Sequence, residues 1–242
     1  MTAMIAGILF DKDGTLFDFE KTFAPACART VLELASGDID LASRLGSSVD
    51  FDLEHVSFAP SSIVIAGCAA DIGACWAPLL DITDDTSFHA RIDTMFERHC
   101  RDTATLFPTV VPLLQKLVEA GIPAGIATND AEANARSQAQ AGGIADHLSF
   151  IAGYDSGHGA KPGPGMILAF ADQLGAHPGR IVMVGDSAHD MAAARAAGAV
   201  AVAVSTGMAE AAFLANHADM VIESLDQLMQ LPLLAPIAAM ER

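Results

Sequence analysis

At 242 residues, 52% of them hydrophobic, the chain can bury a sizeable core, either as one large domain or as a core with an insert, and disorder is not expected. Thirty acidic against thirteen basic side chains give a formal net charge of −17. That charge argues against nucleic acid and anionic membrane surfaces as partners, since both need basic patches. The longest apolar stretches are strand-like or broken by polar, Gly and Pro residues, and the N-terminus runs straight into an apolar strand. Neither a transmembrane span nor a secretory signal is therefore expected. Cys27, Cys68, Cys75 and Cys100 share no metal-ligand or redox spacing and read as reduced, mostly buried thiols, which points to a cytoplasmic protein.

Residues 4–10 form an apolar run that predicts a buried strand, and Asp11-Lys12-Asp13-Gly14-Thr15-Leu16 follows at its end. Open α/β sheets bind ligands beyond the carboxyl ends of their strands, and Gly14 lets the backbone turn there without steric cost. One aspartate can attack phosphorus and become an aspartyl-phosphate, while the other protonates the leaving oxygen and later activates water. The plain alternative is a solvated turn, for which Asp, Gly and Thr are ordinary residues.

After Leu16 the strand signals vanish, and helix-period patterns run from about Lys21 to about Arg101. Phe23, Cys27, Val31 and Leu34 recur at three-to-four spacing, as do Ile92, Met95, Phe96 and His99, and each stripe reads as core. Residues 61–70 and 71–80 are small-residue-rich apolar segments expected to be packed helices, punctuated by Pro60 and Pro78.

Strand and helix patterns resume after Phe107-Pro108. Residues 110–120 predict a helix closed by Gly121, and residues 121–127 a strand ending at Thr128-Asn129-Asp130. The hydroxyl and N–H groups there suit phosphate oxygens, although the same three residues would serve as a plain helix cap. Lys161 stands in a stiff Pro/Gly loop, where a cation would neutralise a phosphate and a nucleophile together. No lysine lies between Lys116 and Lys161, and none follows. Residues 180–184 predict a strand running into Gly185-Asp186-Ser187-Ala188-His189-Asp190, which places two more acids at a strand end. His189, on the first turn of a helix, reads as structural rather than as a metal ligand. Residues 200–204 and 219–222 predict the last strands.

Together the four segments resemble the signature of the haloacid dehalogenase-like hydrolase superfamily: D-x-D-G-T, then S/T, then K, then G-D-x-x-x-D. The nearest resemblance is to phosphoglycolate-phosphatase-like members with a helical cap. It implies an α/β fold, a Rossmann-like doubly wound parallel sheet core (residues 1–18 and 106–242) with an inserted α-helical cap (residues 19–105). It further implies a phosphomonoesterase acting through an aspartyl-phosphate, with Asp11 as nucleophile, Asp13 as general acid/base, and Thr128, Asn129 and Lys161 around the phosphate. Magnesium would be held by the Asp11 carboxylate, the Asp13 carbonyl and Asp186. Asp190 ranks behind them, acting through a water molecule or by orienting Lys161. Mg²⁺ also suits the chemistry, because hard cations take oxygen ligands and bridge carboxylates to phosphate.

The expected partner is a small phosphorylated metabolite, phosphoglycolate-like, with no nucleic acid and no membrane; the chain would be a monomer or homodimer. Asp13 argues against carbon–halogen cleavage, since dehalogenases of the superfamily lack that second aspartate. The alternatives are a hexose-phosphate mutase of the same fold and a non-catalytic phospho-ligand binding protein. Substrate choice is expected to reside in the cap, with Arg44, His55, Ser61, Ser62 and Arg91 as candidate polar contacts.

Overall fold

The computed structural model describes residues 5–65, 67–207 and 209–234. The first strand, β1 (Gly7–Phe10), leads into a helical excursion of α1 (Phe19–Leu34), α2 (Ile39–Ser48), a hairpin of β2 (Phe51–Asp52) and β3 (Ser57–Phe58), then α3 (Ala69–Leu80) and α4 (Thr86–Arg101). The chain continues through α5 (Val110–Glu119), β4 (Ala124–Ala127), α6 (Glu132–Ala141), β5 (Phe150–Ala152) and α7 (Gly165–Gln173). It finishes with β6 (Ile181–Gly185), α8 (Ala188–Ala197), β7 (Val200–Val204), α9 (Ala211–Leu214) and β8 (Met220–Ile222).

Among the described residues six strands form one parallel sheet in the order β5-β4-β1-β6-β7-β8. From β1 the chain builds outward through β4 to β5, then crosses to lay β6, β7 and β8 on the other side. The strand order therefore reverses around β1, where a doubly wound sheet opens a crevice at its carboxyl edge. Strand residues alternate between two apolar layers. Ile8, Phe10, Val182 and Val184 pack with Leu114 and Leu117 of α5 on one side, and Leu9 and Met183 pack with Phe170 of α7 and Met191 of α8 on the other. Covering both faces explains why these strands read as unbroken apolar runs. Each fully buried Val, Leu or Ile contributes about 1.5–3 kcal/mol.

The helical excursion has its own apolar cluster, from Phe19 to Cys100. Trp76 is fully buried within it, stacks on Phe96 and donates its indole N–H to the Leu45 carbonyl at 3.0 Å. The two connections to the sheet run side by side: Asp18 N–H donates to the Thr105 carbonyl at 2.8 Å and Phe107 N–H to the Leu16 carbonyl at 3.0 Å. The Thr103 hydroxyl binds the Thr22 carbonyl at 2.7 Å, and the Thr22 hydroxyl accepts from Thr105 N–H at 3.1 Å.

Two sequence expectations need correction. Residues 61–70 do not form a helix: a 3-10 turn at Ile63–Ile65 follows Pro60, and α3 starts at Ala69, where Asp71 accepts the Cys68 N–H at 2.8 Å. The helix expected over residues 71–80 does form: α3 runs through Pro78 to Leu80 and stops at Asp81, whose φ is 53°. The excursion is not free of strands, since β2 and β3 pair antiparallel, and β5 in the main sheet also went unpredicted. Cys27 and Cys100 are buried, while Cys68 and Cys75 are half-buried, all as free thiols. Among the described residues no helix is long and apolar enough to cross a membrane.

Candidate active site

The carboxyl ends of three adjacent strands converge. Asp11 follows β1, Thr128 follows β4 and Asp186 follows β6, and all three line one cavity with Asp13, Asn129 and Lys161. Lys161 arrives on the loop after β5, with its Nζ 2.6 Å from Asp11 Oδ1 and 2.5 Å from Asp190 Oδ1. Asp190 itself does not line the cavity: its other oxygen accepts the Ser187 N–H at 3.0 Å and hydroxyl at 2.6 Å, closing the first turn of α8. Asn129 bridges to the lysine loop, its amide donating to the Lys161 carbonyl at 3.0 Å while its Oδ1 accepts the Lys161 N–H at 2.8 Å. Thr128 is buried, and its hydroxyl accepts from Asp130 N–H at 3.0 Å.

Two glycines admit Asp186. Gly14 has φ +80°, and a Cβ there would lie 2.4 Å from an Asp186 carboxylate oxygen; a Cβ on Gly207 would lie 1.7 Å from the same atom. Thr15 donates its hydroxyl to Asp186 at 3.2 Å. Asp11, Asp186 and Asp190 bring carboxylate oxygens within 4.8 Å of one another, with Lys161 as the ammonium among them. Burial, then the charges of Asp11 and Asp190, push Asp186 well above the usual carboxylate range. Asp11 is raised too, by burial and by Asp190 against the pull of Lys161. Burial alone would lower Lys161, but its two carboxylates outweigh that and raise it.

The residue between the two aspartates proves to be part of the site's framework. Lys12 is fully buried, with its Nζ 2.6 Å from the Asp13 carboxylate, 3.0 Å from Asp130 and 2.9 Å from Gln138 Oε1. Asp13 is pushed up to about 7, by burial first and by Asp130 and Asp11, with Lys12 opposing. Lys12 was missed in the sequence, although the scarcity that singled out Lys161 applies equally to it: it is one of four lysines in the chain.

The haloacid dehalogenase-like hydrolase family model matches residues 5–198, which include all of these groups. The chain belongs to that family. Among its relatives, the phosphoglycolate phosphatase of Rhodospirillum rubrum is 30% identical over 207 residues, covering 84% of this chain and 81% of that one. The pyrophosphatase PpaX of Oceanobacillus iheyensis is 29% identical over 232 residues, covering 93% and 95%. A crystal structure of a phosphatase of the family from Thermococcus onnurineus superposes with a TM-score of 0.67 over 93% of this chain and 97% of that one; at 24% identity it speaks for the fold. The chain is thus a phosphatase with the α/β, Rossmann-like core of its family. The reading as a non-catalytic binding protein falls.

The rest of this hydrolase's cavity comes from the helical excursion. Phe23, Val64, Ile65, Ile72, Ile92 and Phe96 form its apolar wall, and Asp93 stands among them. None of the five polar contacts expected there lines this cavity. Arg44, His55, Ser61 and Arg91 are exposed, and Ser62 turns its hydroxyl to the Val49 carbonyl. His55 pairs instead with Asp52 at 2.8 Å, and Ser61 with Asp50 at 2.8 Å. His189 lies exposed at the rim.

Mg²⁺ fits these residues. The donors are all hard oxygens, and Asp186 shares a buried corner with Asp11 and Asp190 in which Lys161 is the one ammonium. A surplus of buried carboxylate of this kind is stabilised by a cation.

Proposed function

We infer that this phosphatase is a magnesium-dependent phosphomonoesterase that transfers the phosphoryl group of a small phosphorylated metabolite to Asp11 and then to water. The observation that carries the reading is the pairing at the end of β1: Asp11 2.6 Å from the Lys161 ammonium, with Asp13 held up near neutrality two residues on. Lys161 favours the ionised form of Asp11 against burial and Asp190, and offsets the charge of an arriving phosphate, so an Asp11 oxygen can attack phosphorus. Asp13, with a pKa of about 7, is protonated often enough to donate to the leaving oxygen and ionised often enough to take a proton from the attacking water. Thr128 and the Asn129 main chain, at the carboxyl end of β4, would hold the phosphoryl oxygens, while the Asn129 side chain fixes the Lys161 loop. Asp190 positions Lys161, both of its oxygens being engaged by Lys161 and Ser187. Mg²⁺, held by the carboxylates of Asp11 and Asp186 and the main-chain carbonyl of Asp13, would draw charge from the transferring phosphoryl group.

The names of the relatives support a small phosphate compound as substrate, and they differ over which one. The covalent step is tested by acid-quenching the enzyme during turnover of p-nitrophenyl phosphate and reducing it with borohydride, which converts an aspartyl-phosphate into homoserine. Mass spectrometry should find homoserine at position 11; a quenched enzyme with unmodified Asp11 and phosphate on another residue would refute the assignment.

A further inference from the structure

The alcohol that leaves with the phosphate removed must fit the wall opposite the carboxylates, and this inference rests on the phosphomonoesterase reading above. That wall is made of Phe23, Val64, Ile72, Ile92 and Phe96, all buried, with Asp93 on α4 as its one charged group from the helical excursion. Asp93 Oδ2 accepts the Tyr154 hydroxyl at 2.5 Å, and its Oδ1 has no hydrogen-bond partner among the described residues. No lysine or arginine of the excursion reaches the cavity among those residues. Arg29, Arg44 and Arg91 are exposed, Lys21 pairs with Asp18, Arg98 with Glu33 and Arg101 with Glu97. The amino end of α3 also opens here, but the Asp71 carboxylate already occupies the Cys68 N–H. Among the described residues, the other basic side chains of the cavity are Lys161, engaged by Asp11 and Asp190, and His189 at the exposed rim.

A carboxylate on the leaving group would be desolvated against these apolar side chains with Asp93 as its charged neighbour, which costs free energy twice, in lost hydration and in repulsion. An ammonium in the same place would meet a carboxylate with an open oxygen in a low-dielectric pocket. We propose that the substrate is the phosphomonoester of a compact amino alcohol, its ammonium paired with Asp93 and its carbon chain against Phe23, Ile92 and Phe96, and not the phosphomonoester of a hydroxy acid. This departs from the phosphoglycolate-like substrate that the sequence suggests.

The test compares kcat/KM of the purified chain in Mg²⁺ for 2-aminoethyl phosphate, ethyl phosphate and 2-phosphoglycolate, with p-nitrophenyl phosphate as reference. The amine is expected to exceed ethyl phosphate by at least about tenfold, and phosphoglycolate to fall below ethyl phosphate by a similar factor. Asp93→Asn keeps an acceptor for Tyr154 and removes the charge, so the amine-to-ethyl ratio should drop to about one. Tyr154→Phe, which keeps the charge, should retain the preference. Phosphoglycolate at or above ethyl phosphate in the wild-type chain, or an unchanged ratio in Asp93→Asn, overturns the proposal. Turnover of p-nitrophenyl phosphate with phosphoglycolate preferred overturns this inference alone; inactivity towards p-nitrophenyl phosphate as well removes the chemistry beneath it.

Discussion

Two lysines are buried at the carboxyl edge of the sheet, and each is held by two carboxylates, yet their surroundings differ. Lys12 joins Asp13 and Asp130, which line the cavity, while Lys12 itself and its third acceptor, Gln138, do not. Lys161 lines the cavity, joins Asp11 and Asp190, and shares that corner with Asp186, so three carboxylates there face one ammonium where Lys12 has two. The more nearly balanced cluster of buried charge serves to fix geometry, because removing either partner strands the other. The one with the larger carboxylate surplus is poised to take up a cation and to act on a charged substrate. The comparison teaches that three successive residues, Asp11-Lys12-Asp13, serve two different clusters, with Asp11 and Asp13 turned to chemistry and Lys12 to the support of Asp13.

The largest expected effect breaks the cluster around Lys161. Chelation with EDTA should abolish turnover of p-nitrophenyl phosphate, Mg²⁺ should restore it, and Ca²⁺ should support it poorly, since the larger ion tolerates more ligands and misdirects the nucleophile. Full activity in chelator would end the cation argument. Asp11→Asn comes next: it keeps the shape and loses the nucleophile, so kcat should fall by at least about 10³-fold while the thermal midpoint changes little. A near-wild-type rate in the folded variant would remove Asp11 from the chemistry.

Lys12→Met probes the cluster around Lys12. Stranding Asp13 and Asp130 should destabilise the fold by about 3–5 kcal/mol, measured by urea unfolding. Because Lys12 holds Asp13 down, its loss should move the pH–rate limb that reports Asp13 to higher pH, above about 7. A Lys12→Met variant of unchanged stability and pH profile would erase the distinction between the clusters. The smallest effect concerns the apolar wall. Asp93 is raised to about 6 by burial, with Asp130 and Asp155 adding and Tyr154 and His89 opposing. It loses its charge below that pH, so the preference for 2-aminoethyl over ethyl phosphate should fall roughly fivefold or more between pH 7.5 and pH 5. The ratio cancels the titration of the groups that act on both substrates alike. A flat ratio would separate amine selectivity from Asp93.

The sheet and its aspartates were legible because parallel strands buried on both faces leave continuous apolar runs, and the acids stand where those runs stop. Gly7–Phe10, which stops at Asp11, and Ile181–Gly185, which stops at Asp186, are examples. The helical excursion was legible only in its long stripes. Strands of two residues, as in Phe51–Asp52 and Ser57–Phe58, are too short to show a period, and β5 has only three residues. The cavity wall was hidden for another reason. Phe23, Ile92 and Phe96 read as core-type helix positions, and nothing in the pattern singles out Ile72 or Asp93, until packing turns one side of three helices towards Asp11. Lys12 was hidden because a lysine beside two acids reads as solvated charge, and burial is a tertiary fact.

The paired connections at Asp18–Thr105 and Leu16–Phe107 have a consequence for how such a molecule changes over generations. The chain departs from the sheet and returns to it at hydrogen-bonded neighbours, so the length of what lies between hardly matters to the sheet. Doubling a closed loop adds only about 0.6 kcal/mol of closure entropy. Insertions, deletions and wholesale exchange of the intervening segment are therefore cheap, and one set of strand-end aspartates can be handed from one leaving group to another without being rebuilt.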